Sequence, residues 1–450
     1  MSLFNTLNTG ASGMGASSTN LSVIGDNIAN IGTVGYKSSR ATFADAFPNL
    51  VSSLGGPAAV GTGSGLGDVG LDFGQGALTQ TGNAVDVAIL GTGFFEVANG
   101  DQKFYSRDGS FHLDADNYLV NSAGLHVQGF QALDGTLTST VGDLQLDAGP
   151  VPQQATSTIT VDATLSAEAD ATDEPLDAIR TATPFDGTAA APTLDTLSQS
   201  ADFSTSVTVY DSLGIPRDVT LFFERDSASP ETWNVYAVAD GSQVDTNGDG
   251  VADGTAGAAF ELGSGTVTFD TDGNLASTTG ITMNAGWTFP GASAMSPTFA
   301  FGLDAAGNPT DGGLTMSGTS SFLTSIGQDG HSAGTLDSLR VDPDGSIVGQ
   351  YTNGEERALG QVAIATFSSV AGLDRAGGNL YRATDDSGAP ALGAAGVGGR
   401  GSVNGYSLEA SNVELEDQFV MMIQAQRSYQ ANTGVIRTAD EALQQLIQLV

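Results

Sequence analysis

Apolar positions step by four and three near both ends of the chain and by two between them, which predicts terminal helices around a β-rich middle. Over residues 3–30 the series Leu7, Ala11, Met14, Ser18, Leu21, Gly25 and Ile28 has the spacing of a coiled-coil seam, interrupted at Ser18 and Gly25. Gly10, Gly13, Gly15 and Gly25 each cost about 1 kcal/mol against Ala in a helix interior. Alone such a helix is marginal, so its glycines make sense where other helices pack closely on it. Gly32 and Gly35 end it. Residues 411–450 predict a stronger helix, with Leu415, Phe419, Met422, Gln426, Tyr429, Thr433, Ile436, Asp440, Leu443, Ile447 and Val450 in step. Val435, Ala439, Ala442 and Leu446 widen the stripe beyond what one partner helix needs. Its own domain, neighbouring helices and other subunits all stand as candidates to cover it.

The middle reads differently. Residues 46–83 are rich in Gly, Ser and Ala, with Pro48 and Pro57, and predict an extended connector. Val85 to Ile89 alternates, and Gly93 to Val97, Phe104 to Phe111, Tyr118 to Val120 and Leu125 to Val127 follow as short strands. Residues 150–200 suggest strands separated by long surface loops, with Pro175, Pro184 and Pro192. Val207 and Val209 then lead through Asp211-Ser212-Leu213-Gly214 to Val219, Leu221 and Phe223, a hairpin, and Trp233, Val235 and Gly265–Phe269 continue it. Asp342-Pro343-Asp344-Gly345 turns a further hairpin before the strand from Gln361 to Phe367. The fold class is α+β. Discontinuous N- and C-terminal helices (1–45 and 408–450) form a coiled-coil-like core domain. Two mainly antiparallel β-domains accompany it, the outer one (149–325) inserted in the inner one (84–148 and 326–407).

Charge narrows the partners. The 450 residues hold 51 Asp and Glu against 14 Lys and Arg, a formal net charge of −37. That surface repels phosphates, so nucleic acid and anionic membranes are poor partners. At 40% hydrophobic residues the chain has enough apolar content to fold. With no Cys there is no disulfide, thiolate zinc site or thiol nucleophile. The first basic residue is Lys37 and no apolar run spans a bilayer, so export, if it occurs, leaves the N-terminus uncleaved.

Candidate chemistry is sparse. Gly65-Leu66-Gly67-Asp68-Val69-Gly70 fits the dinucleotide fingerprint without the strand and helix that give it meaning, and is a chance match. Asp245, Asn247, Asp249, the Val251 carbonyl and Asp253 have the spacing of a Ca²⁺ loop, with Gly250 at the sharp turn. Ala256 replaces the bidentate Glu, so the loop is either a structural Ca²⁺ site or an ordinary acidic turn. His112, His126 and His331 lack ligand spacing, and no catalytic constellation or other cofactor site emerges.

Several motifs in combination resemble the bacterial flagellar rod and hook proteins. They are Asn27-Ile28-Ala29-Asn30-Ile31-Gly32-Thr33-Val34-Gly35-Tyr36-Lys37, Gly76-Ala77-Leu78-Thr79-Gln80-Thr81-Gly82-Asn83 and Tyr105-Ser106-Arg107-Asp108-Gly109-Ser110-Phe111. Near the C-terminus, Ser411-Asn412-Val413-Glu414-Leu415 and Gln426-Arg427-Ser428-Tyr429-Gln430-Ala431-Asn432 complete the series. Asp26 and Gly74 stand where relatives often carry Asn and Ser. The chain's length and the Val209–Gly214 hairpin resemble the hook members of that family rather than the shorter rod members.

The resemblance implies an exported subunit that polymerises into a curved tube, a universal joint passing motor torque from rod to filament. It implies a homopolymer that meets the rod, hook cap, hook–filament junction proteins and export apparatus, in the extracellular hook of the flagellum. On that reading Leu7, Met14, Leu21, Ile28, Phe419, Met422, Ile436 and Leu443 supply apolar burial at the assembly interface. Asn27, Asn30, Asn412, Gln426 and Asn432 are too polar for an ordinary seam, and either fix register between helices or cap them and face water. A distal rod protein with an unusual insertion shares the ends. A secreted Ca²⁺-dependent adhesin explains the acidity and the Asp245 loop but not the paired helices.

Overall fold

A computed structural model describes residues 3–46, 49–53, 56–133, 135–169, 176–303 and 312–448. Val450, expected in the last helical turn, lies outside them. Among the described residues there are four α-helices: α1 (Leu3–Ala29), α2 (Leu176–Ala182), α3 (Leu194–Ser200) and α4 (Leu415–Gln448). The chain divides into two compact units, one of residues 1–148, 336–350 and 356–450, the other of 149–335 and 351–355.

In the first unit α1 and α4 pair. Gly10 lies against Ile436, Gly13 against Asn432, and Asn27 bonds to Gln418, so the helices run antiparallel. Beyond α1 the chain leaves as a long hairpin rather than an unpaired connector. Ser39–Asp45 pairs with Ser64–Leu71, and Asn49–Ser53 with Gly56–Val60. Ser64–Leu71 carries largely exposed Gly, Ser and Asp, so no period of two marks it; backbone pairing alone makes the strand.

A thirteen-stranded sheet follows, in which Phe94–Asn99 and His126–Leu133 are central. Phe94–Asn99 is buried on both faces. Phe95 and Val97 join Val87, Ile89, Phe111, Val127, Leu144, Ile347 and Ile364 in the main core. Phe94 turns to the other side, where Tyr105, Leu373 and Tyr381 receive it and Phe73 meets its ring edge-on at 5.4 Å. Each such aromatic contributes about 1.5–3 kcal/mol by burial. The C-terminal segment returns to this unit as two strands, Ser402–Gly405 on Val87–Leu90 and Ser407–Glu409 on Leu78–Gln80.

The second unit is a two-sheet stack. Phe203–Tyr210, Pro216–Arg225, Thr232–Asp240, Ala259–Phe269 and Leu275–Thr278 form an antiparallel meander. The expected hairpin is present, with Val207 opposite Val219 and Phe203 opposite Phe223. Its inward side chains (Val219, Leu221, Phe223, Trp233, Val235) share a core with alternate residues Ile159, Val161, Ala163 and Leu165 of a second sheet. In that sheet Thr298–Ala300 and Leu314–Met316 pair parallel to Thr158–Leu165. The meander's other face carries Phe222, Tyr236 and Val238, which α2 and α3 cover through Leu176 and Leu197. These short helices stand where loops were expected. They are too short for a period of 3.6, although Thr193 caps α3 by accepting from the Thr196 amide. The unit runs to Thr335 rather than 325, because Phe322–Gln328 pairs with Thr158–Leu165 and Gln154 bridges to His331.

Candidate assembly interface

Where α1 ends and α4 begins, four chain segments meet in a polar joint. Asn27 sits in the last turns of α1 with its side chain buried. Its amide donates to the Ser39 carbonyl at 2.8 Å and accepts from the Ser39 amide at 2.8 Å, a reciprocal pair, and also donates to Gln418 Oε1 at 3.1 Å. Asn412 does the equivalent work before α4. Its Oδ1 accepts from Ser38 N at 2.8 Å and its Nδ2 donates to the Asp72 carbonyl at 2.8 Å. Both Asn side chains thus hold backbone that strand pairing leaves unsatisfied.

Below them lies an ion cluster. The side chains of Lys37 and Glu409 are 0% exposed and Arg107 is 5% exposed. Lys37 Nζ donates to Glu409 Oε1 at 2.6 Å and to the Gly74 carbonyl at 2.7 Å. Gly76 N donates to the same Oε1 at 2.8 Å, Arg107 reaches Oε2 at 3.3 Å, and its other nitrogen donates to the Gly91 carbonyl at 2.7 Å. Burial pushes the Lys37 ammonium and Arg107 guanidinium down from their ordinary values, and Glu409 opposes the shift in each. Gly35 closes the joint. Its φ is +67°, its amide donates to the Glu409 carbonyl at 2.7 Å, and an added Cβ would lie 2.6 Å from Asp108 N. The motifs around Lys37, Gly76 and Arg107 therefore converge on one carboxylate. Glu409 was not singled out in the sequence.

The helix seam falls one residue before the expected stripe along α1 and at Gln418, Ala425, Asn432 and Ala439 of α4, while Ile436 belongs to both. Buried or close-packed positions on α1 are Gly10, Gly13, Ser17, Ile24 and Asn27, and on α4 Gln418, Ala425, Asn432, Ile436 and Ala439. A Cβ at Gly13 would fall 2.6 Å from the Asn432 amide, and one at Gly10 2.8 Å from Ile436. Small residues face the partner because the helices approach closely. Leu7, Met14, Leu21 and Ile28 flank that seam, half-buried, as do Met422 and Leu443. Asn30 turns back to the Asp26 carbonyl at 2.9 Å and finishes its own helix. Gln426 is exposed. Phe419 is 47%, Val420 54% and Ile423 51% exposed, so the first turns of α4 show large apolar side chains away from α1.

The Asp245 loop closes on itself. Asp245 Oδ1 accepts from the Asn247 and Gly248 amides and Oδ2 from Gly250, while Asp253 takes the Thr246 and Asn247 amides. Among the described residues no group of three or more His, Cys, Asp or Glu side chains is arranged to hold a metal ion. No helix among them is long and apolar enough to cross a membrane.

Four stretches match flagellar families: "Flagella basal body rod protein" at 7–37, "Flagellar hook protein FlgE/F/G D1 domain" at 88–167, "Flagellar basal body protein FlaE D2 domain" at 175–331 and "Flagellar basal body rod FlgEFG protein C-terminal" at 404–449. The flagellar hook protein FlgE of Salmonella typhimurium is 34% identical over 446 residues, covering 97% of this chain and 98% of its own. That of Borreliella burgdorferi is 30% identical over 477 residues, covering 99% and 100%. The crystal structure of Helicobacter pylori flagellar hook protein FlgE2 shares the fold at a TM-score of 0.51 and 17% identity, covering 74% of this chain and 100% of that one.

Proposed function

The chain belongs to the flagellar hook protein family and is a structural subunit of the bacterial flagellar hook, not an enzyme, and from that premise we propose how it assembles and works. Copies join through the terminal helices into a curved tube that passes torque from rod to filament. The observation that carries this reading is the exposed apolar surface of α4. Phe419, Val420 and Ile423 lie in water at 47%, 54% and 51% exposure, and three such side chains in one helix end mark an interaction surface. Covering them with other copies removes apolar area at about 25 cal/mol per Å². The acidic surface of the chain favours sliding polar contacts between copies over fixed ones. The subunit is exported unfolded, works outside the cell, and meets rod, cap and junction proteins at the ends of the polymer.

The test is a double variant, Phe419→Asp with Ile423→Asp, in the full chain. Urea unfolding of the purified monomer is expected to match wild type, while cells carrying the variant end their flagella at the rod. Normal hooks on those cells would refute assembly through this face.

The Asp245–Asp253 loop is self-sufficient on this reading, because its carboxylates already satisfy the loop amides. Melting temperature is expected to stay the same in Ca²⁺ and in EGTA, followed by tryptophan fluorescence of Trp233 and Trp287. A rise of several degrees with Ca²⁺ alone would restore the cation site.

A further inference from the structure

At the base of the helix pair a cleft of about 260 Å³ opens between α1, α4 and the start of the hairpin. Ile24 and Met421 form part of its wall, and Asp72, Glu414, Asp417 and Arg40 also line it, three carboxylates and one guanidinium. The Asp72 carboxylate accepts the Gly74 amide at 2.8 Å, and those of Glu414 and Asp417 have no partner among the described residues. Arg427, outside the cleft, is likewise without a partner among them. It is exposed and has neither carboxylate, hydrogen-bond nor ring partner among the described residues, in a chain with only 14 Lys and Arg.

Geometry separates the two within one copy. Ala425 faces α1, and Arg427 follows it by two residues, about 200° further round the helix, so it projects from the far side. Val420 and Ile423 share that side. Arg427 also lies ten residues past Asp417, roughly 15 Å along a straight helix. It cannot fold back into its own cleft.

We propose that the cleft receives α4 of a second copy, with Arg427 of that copy inserted among Asp72, Glu414 and Asp417. This rests on the self-polymer reading above. Copies carrying a charge of −37 repel at long range, so their approach needs local complementarity of this kind. The donor stripe and the acceptor cleft are different surfaces of one molecule. Such a heterologous contact does not close on itself as a two-fold dimer does, and repeats into an open helical array when its rotation closes no ring.

A charge swap in the full-length protein tests the pairing in cells lacking the wild-type gene. Arg427→Glu is expected to lower the number of hooks at least tenfold, with the variant recovered as folded monomer in the medium. Adding Asp417→Arg is expected to restore hooks, and Glu414→Arg provides a second rescue at the same cleft. Hooks at wild-type number with Arg427→Glu alone would overturn the proposal. So would loss of hooks that neither reversal repairs, because Arg427 would then act elsewhere. If cells lacking the gene still built hooks, the assembly reading itself would fall and this pairing with it.

Discussion

Replacing Glu409 by Gln is expected to destabilise the first unit by about 3–5 kcal/mol, the scale for breaking a buried ion pair from one side. Gln keeps the volume and one acceptor but removes the negative charge. Lys37 and Arg107 would then face each other across a site whose side chains are 0–5% exposed. Lys37→Met is expected to cost far less. It takes away one of two buried cations and leaves the neutral pair of Arg107 with Glu409, with Gly76 N still bound at 2.8 Å. The double variant Lys37→Met, Glu409→Gln should therefore recover part of what Glu409→Gln alone loses. Urea unfolding of the three variants measures this. Equal losses for Lys37→Met and Glu409→Gln would show that the cluster's charge balance is irrelevant and that packing alone holds the joint.

The joint also shows what could be read from the chain and what could not. Lys37, Arg107 and Asn412 lie in motifs that stood out singly. Nothing in a linear reading places Lys37 beside Glu409, which is 372 residues away. Glu409 itself is one acid among 51, so its residue type carried no signal. The available clue was its place in the short strand Ser407–Glu409, just before the Asn412 motif. Helicity and the four-three spacing of the ends were legible because large apolar residues repeat over many turns. The phase of the seam was not. Counting large side chains selects Leu7, Met14 and Leu21, whereas close approach of α1 and α4 selects Gly10, Gly13 and Ser17. Of the polar interface candidates, Asn27 and Asn412 bond across segments, and Asn30 serves its own helix. In the second unit, alternation revealed Val207 to Phe223 because one face packs against a second sheet. The two helices covering the other face have seven residues each, too few for their period to rise above the Thr- and Asp-rich background.

Gly109→Ala is expected to cost about 3 kcal/mol, near the upper end for overpacking a filled interior. The reason is close backbone approach rather than an unusual φ. An added Cβ would stand 1.7 Å from the Val87 carbonyl oxygen and 3.0 Å from Phe95 Cε2. Neither neighbour can give way locally. Val87 N donates to Gly109 O at 3.0 Å, and the far edge of Val87–Leu90 pairs with Ser402–Gly405. Relief would push that strand off the Arg107 turn, and Arg107 binds the Gly91 carbonyl at 2.7 Å just past its other end. The clash thus reaches the Glu409 cluster and loosens the base of both terminal helices. Gly142→Ala makes the control, since a Cβ there meets nothing within 4 Å. It is expected to be neutral or to stabilise by up to about 1 kcal/mol through the unfolded chain. Urea midpoints compare the two directly. If Gly109→Ala unfolds at the same urea concentration as Gly142→Ala, the contact between the Arg107 turn and the strand Val87–Leu90 is looser than these distances require. The joint would then have to be held from the Lys37 side alone.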